Sequence, residues 1–143
     1  MRRLTLASLT VLASAGVLAS CATTGMPTPR SPQAQAELSR WLTGRVAGRA
    51  QSCLPTYRSQ DMVVIDENTI LFRDGGNRVW RTDLRGSCNG LGRPGTALLT
   101  KQYGGTGLCS GEIAQVVDTS QGFTVGTCAL GDFVPYTGPG VRR

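Results

Sequence analysis

From Met62 to Thr137 the chain is a succession of short runs rich in valine, isoleucine, threonine and aromatic residues, separated by clusters of glycine, asparagine and aspartate. The runs are Met62 to Ile65, Thr69 to Arg73, Arg78 to Leu84, Ala97 to Tyr103, Glu112 to Asp118, Phe123 to Leu130 and Phe133 to Thr137. β-Branched and aromatic side chains fit the pleated, half-buried surface of a sheet, and the intervening clusters supply turns. Strands this short and this closely spaced predict a mainly β domain whose antiparallel sheet closes into a small barrel or folds into a sandwich. A doubly wound parallel sheet would need crossover helices, and the region carries no convincing helical pattern.

One hairpin can be registered from charge alone. A two-residue loop at Gly75-Gly76 would set Arg73 opposite Arg78, and like charges directly across a ladder are unfavourable. A three-residue loop, Gly75-Gly76-Asn77, instead sets Asp74 opposite Arg78 and Phe72 opposite Trp80. That loop requires a left-handed position, which is assigned to Asn77 because asparagine tolerates it. Ile70, Phe72, Trp80 and Thr82 then share the core face, with Leu71, Arg73, Val79 and Arg81 on the other.

Ahead of the strands, Ser31-Pro32 reads as a helix start, a capping hydroxyl followed by proline in the first turn. The helix is expected to run to about Val46. It would carry Leu38, Trp41, Leu42 and Val46 on one face, and such a stripe ordinarily packs on a neighbouring sheet. Gly44 and Gly48 predict early fraying.

The chain has five cysteines, and an odd count in an exported protein calls for an explanation. Arg2 and Arg3 form a basic start, and Leu4 to Leu18 is an uncharged stretch of small, hydroxyl and aliphatic residues, as in an export signal. It is short for a span of roughly 20 residues. The following Leu18-Ala19-Ser20-Cys21 resembles the lipobox of bacterial lipoprotein precursors. That resemblance implies cleavage before Cys21, acylation including palmitate, and a membrane anchor. Lacking an aspartate after Cys21, the chain resembles lipoproteins bound for the periplasmic face of the outer membrane. The alternative is ordinary cleavage and a soluble secreted protein.

With Cys21 set aside, Cys53, Cys88, Cys109 and Cys128 form an even set, read as two disulfides in an oxidising compartment. Three connectivities exist, and sequence does not choose among them. The working expectation pairs Cys88 with Cys109, which sit in similar glycine-rich turns, and Cys53 with Cys128. A zinc site is disfavoured by the absence of histidine and of any C-x2-4-C spacing.

The formal charge of +6 falls to about +4 once Arg2 and Arg3 leave with the signal, a basicity suited to an anionic envelope component. Arg73, Arg78, Arg81 and Arg85 are candidates for an anion site, weighed against a solvated strand face with Arg/Asp pairing. Nucleic acid is a poor partner for an exported chain without a recognition motif. The lack of histidine removes the usual general base, so acid/base chemistry would fall to Asp66, Glu67, Asp83, Glu112, Asp118 and Asp132, of which Asp66-Glu67 reads as a turn. No cofactor or metal motif is present.

Cys53-Leu54, Ile65-Asp66 with Thr69-Ile70-Leu71-Phe72-Arg73, Asp83-Leu84-Arg85-Gly86-Ser87-Cys88, Leu108-Cys109 and Gly131-Asp132-Phe133-Val134-Pro135-Tyr136 resemble an uncharacterised family of small proteobacterial envelope proteins, a domain of unknown function. The resemblance spans roughly Cys53 to Thr137 and implies a disulfide-bearing domain, with no activity attached. The expected organisation is a signal peptide over 1–20, a disordered tether over 21–30, a short helix and linker over 31–49, a β domain over 50–137 and a disordered tail over 138–143. The expected role is a non-enzymatic module that binds or scaffolds another envelope protein or an anionic envelope component, with a carboxylate hydrolase as the competing class.

Overall fold

The computed structural model describes residues 29–54, 61–101 and 107–139. Helix α1 (Pro32–Leu42) starts as the sequence predicts: the Ala34 N–H donates to the Ser31 hydroxyl at 3.2 Å, with proline in the first turn. It ends a turn earlier than expected. The Thr43 N–H and hydroxyl both donate to the Ser39 carbonyl, at 2.8 and 2.6 Å, and Gly44 at φ +74° reverses the chain. Val46 therefore leaves the helix, opens strand β1 (Val46–Ala47) and stands 73% exposed.

The remaining strands are β2 (Cys53–Leu54), β3 (Met62–Asp66), β4 (Thr69–Asp74), β5 (Arg78–Asp83), β6 (Thr96–Thr100), β7 (Leu108–Cys109), β8 (Ile113–Asp118), β9 (Thr124–Ala129) and β10 (Phe133–Thr137). They form a five-stranded sheet in the order β1-β10-β5-β4-β3, a three-stranded sheet β6-β8-β9 and a two-stranded ribbon β2-β7, with every pairing antiparallel.

The two larger sheets face each other as a sandwich. Ile70, Phe72, Trp80 and Phe133 from the five-stranded sheet meet Ala114, Val116 and Cys128 from the three-stranded sheet, and the ribbon closes the core with Leu54 and Leu108. Phe72 and Phe133 pack at a ring separation of 6.0 Å. On the other side of the five-stranded sheet, α1 lays Ala34 and Leu38 over Ile65, Leu71 and Val79. This separates the side chains of the β4-β5 hairpin: alternate residues feed two different apolar layers, so its strands are buried on both faces.

The hairpin register is the one that charge predicts, with Asp74 opposite Arg78 and Phe72 opposite Trp80. The left-handed residue differs. Gly75 takes it at φ +67°, and Asn77 keeps a negative φ. Gly75 meets no steric cost there, while the Asn77 carbonyl accepts the Gly138 N–H at 2.9 Å and ties the loop to the end of β10. A second glycine is required by space: a Cβ on Gly131 would lie 2.1 Å from the Asp83 carbonyl oxygen.

Both disulfides form, with a connectivity unlike the expected one: Cys53 joins Cys109, and Cys88 joins Cys128. The cause is tertiary. Ser52 to Leu54 pairs with Leu108 to Ser110, which sets Cys53 directly across from Cys109. Arg85 exchanges backbone hydrogen bonds with Ala129, at 2.8 and 3.1 Å, and this brings the Cys88 turn over β9. The sequence separations of 56 and 40 residues correspond to about 4 kcal/mol of loop entropy each in the chain-entropy account. Such bonds mark an oxidising, extracytoplasmic setting.

Candidate interaction surface

Cys21 lies outside the described residues. The arginines named from sequence do not converge. Arg73 and Arg81 project from the helix side of the hairpin and Arg78 from the opposite side, while Arg85 follows the hairpin and donates to the Ser110 hydroxyl at 3.3 Å. Three of them meet carboxylates: Arg73 with Asp61 at 3.6 Å, Arg78 with Asp74 at 2.9 Å, and Arg81 with Asp83 at 2.8 Å. Arg78 also covers the Trp80 ring at 5.7 Å. Partial burial opposes the charge on Arg81, but Asp83 and Tyr136 favour it and hold its pKa above the ordinary arginine value. The pattern is an Arg/Asp-paired strand face.

The carboxylates serve local structure. Asp66 binds Arg30 and accepts the Asn68 N–H at 2.8 Å. Arg30 also donates to the buried Thr69 hydroxyl, which in turn donates to Asp83 at 2.8 Å. This chain of contacts fixes the segment entering α1 to the β3-β4 turn. Glu67 accepts the Gly90 N–H at 2.9 Å and meets Arg93 at 3.2 Å, holding down the loop between β5 and β6. Glu112 accepts the Cys109 N–H at 3.0 Å. Asp118 accepts from the Ser120 hydroxyl and from the Gln121 and Ser120 N–H groups, which hold its pKa below the usual carboxylate value. Asp132 is exposed between β9 and β10.

An open depression of about 830 Å³ lies at the tip of the β4-β5 hairpin, lined by Asp74, Gly76, Asn77, Arg78, Thr137, Gly138 and Pro139. Its charged groups are already engaged: Asp74 accepts from both Arg78 and the Trp80 indole N–H, at 2.9 and 3.0 Å. A depression whose single acid and single base neutralise each other offers a ligand little beyond backbone polarity.

The outer face of the three-stranded sheet is different in kind. Alternation along β8 buries Ala114 and Val116 and turns Ile113, Gln115 and Val117 outward. Register aligns Leu99 and Thr127 with Gln115, Ala97 and Thr124 with Val117, and Ala129 with Ile113. Within these strands the outward residues described are uncharged, and two exposed cations flank them at the Ile113 end: Lys101, one residue past β6, and Arg85, bridged to Ala129. Leu99 and Ile113 are each 53% exposed, and Phe123, at the β8-β9 turn beside it, is 50% exposed. Large apolar side chains exposed together on one sheet face, rimmed by polar and charged residues, mark a candidate interaction surface. Sequence reading placed these strands but not this surface. The alternation in Ile113 to Val117 was its only signal, and alternation does not distinguish a solvated face from a covered one.

Comparison with protein-family models, curated proteins and solved structures found no match to this chain. Its class is therefore defined by its own architecture: a small, doubly disulfide-bonded β sandwich with one helix on its outer side.

Proposed function

We propose that this is a lipid-anchored envelope protein that binds another envelope protein through the outer face of the β6-β8-β9 sheet. The observation that carries the reading is the pair Leu99 and Ile113, each half-exposed on one sheet face and flanked by the exposed Lys101 and Arg85. Its position favours a protein over the bilayer as occupant. The chain enters the domain at Arg30, on the α1 side of the five-stranded sheet, while the apolar face lies on the far side of the sandwich. An anchor at Cys21 would thus hold the domain by one side and leave the other for a partner. The basic excess left after signal removal, about +4, suits a partner whose apolar patch has an acidic rim.

The anchor is supported by the Leu18-Ala19-Ser20-Cys21 motif and by the pairing of the other four cysteines, which leaves Cys21 as the odd thiol. Intact-mass measurement of the native protein tests it: acyl mass on an N-terminal Cys21 is expected, and an unmodified chain starting elsewhere rejects it. For the binding face, a photo-crosslinking residue at Leu99 should trap a defined envelope protein, and Ile113→Asp in the same chain should abolish the adduct. The same probe at Ser39, on the exposed side of α1, should trap nothing. Equal trapping from both positions, or none from Leu99, removes the proposal.

A further inference from the structure

The two disulfides occupy opposite environments. Cys88 is fully buried and Cys128 is 5% exposed, both within the sandwich core. Cys53 is exposed and Cys109 half-buried, at the outer end of the β2-β7 ribbon. We infer that Cys53–Cys109 is a thiol-exchange site, open to a dithiol reductant or oxidoreductase while Cys88–Cys128 stays closed in the native protein.

Thiol-disulfide exchange needs in-line access of a thiolate to one sulfur. Cys53 offers that access. A thiolate of the dithiol attacks Cys53 Sγ, the Cys53–Cys109 bond breaks, and its electron pair leaves on Cys109 as thiolate. The second thiol of the reductant, as thiolate, then attacks the reductant's own sulfur in the mixed disulfide and releases Cys53. The reductant is oxidised to a disulfide, the protein gains two thiols, and the two protons come from the reductant.

The surroundings allow this chemistry without unfolding. Leu54 and Leu108, beside the cysteines, are each 1% exposed and pin the ribbon to the core. Backbone bonds hold its ends: Ser110 N–H to the Ser52 carbonyl at 2.7 Å, Gly111 N–H to Leu130 at 2.8 Å, and a reciprocal Gln51–Phe133 pair at 2.9 and 2.8 Å. Arg85 reaches Ser110, next to Cys109, and supplies a positive charge on the side of the leaving thiolate, partly offset by Glu112 on the Cys109 N–H. For the buried pair, the same attack first requires the sandwich to open, so its rate follows a rare sub-global fluctuation.

The test is timed reduction of the folded, oxidised protein with dithiothreitol, quenching with N-ethylmaleimide and peptide mapping. Cys53 and Cys109 should be labelled about 100-fold faster than Cys88 and Cys128, with the far-ultraviolet circular dichroism unchanged while only the first pair is open. A Cys53→Ser/Cys109→Ser double variant should retain the fold and show no fast-labelling phase. Equal rates for the two pairs, faster labelling of Cys88 and Cys128, or loss of the fold on opening of Cys53–Cys109 would each overturn the inference.

Discussion

Leu71→Ala tests the layering on which the interaction surface depends. Leu71 is fully buried, and the residues around it are Leu38 and Ala34 of α1 with Ile65 and Val79 of the sheet. The substitution removes three carbon atoms, worth about 0.8 kcal/mol each in transfer free energy. Because a rigid strand cannot collapse into the gap, a cavity contribution adds to this, and the total loss should be about 3 kcal/mol. In a domain of this size that lowers the thermal midpoint by roughly 12 to 18 °C. Leu38→Ala, the helix side of the same contact, should cost about 2 to 3 kcal/mol, and the double variant less than the sum of the two, since each removes the other's neighbour. Ile113→Ala, on the half-exposed outer face, should cost under about 1 kcal/mol. Urea unfolding of the oxidised proteins, followed by circular dichroism, gives all four values. If Leu71→Ala costs less than about 1 kcal/mol, or Ile113→Ala as much as Leu71→Ala, then α1 is not the cover of the second face, or the outer sheet face is not free, and the reasoning fails.

Two further outcomes follow from the polar contacts. Arg30 and Asp66, with side chains 21% and 19% exposed, form a partly buried pair, so Arg30→Ala and Asp66→Asn should each destabilise by about 1 to 2 kcal/mol, with the double variant no worse than the stronger single; additive losses in urea titrations would show that the two do not act together. Asp118, whose carboxylate is held below its ordinary pKa by the Ser120 and Gln121 donors, stabilises the β8-β9 turn above its unfolded pKa of about 3.9 and loses that contribution as pH falls through the lower folded value. Its carboxyl carbon, followed by nuclear magnetic resonance from neutral to acid pH, should titrate below about 3.9 in the native protein, whereas a midpoint at or above that value contradicts the turn.

The strands were legible because local chemistry and tertiary packing agree. β-Branched runs between turn clusters gave β3, β4, β5, β8, β9 and β10 to within a residue or two, and like-charge repulsion between Arg73 and Arg78 sufficed to register the hairpin. Ser31-Pro32 located the start of α1 for the same reason: a cap is a contact between residues three apart. Its end was overestimated because Val46 has a second destination. Pairing with Thr137, ninety-odd positions away, outcompetes one more helical turn once Gly44 offers a reversal.

Local chemistry along the chain was enough for a mainly β domain, a capped helix at Ser31-Pro32, four cysteines that pair, and an odd Cys21 at the end of an apolar segment. Each of these rests on neighbours within a few positions or on simple parity. Long-range packing settled which cysteines meet, because the partner of Cys53 is set by the β2-β7 pairing and not by the likeness of two glycine-rich turns. It also decided which sheet face the described residues leave uncovered. Both faces of the β4-β5 hairpin are buried, one by α1 and one by the opposite sheet, while Ile113 and Leu99 remain in solvent. Alternation along a strand records that two faces differ, but what lies against each face is a property of segments distant in the chain.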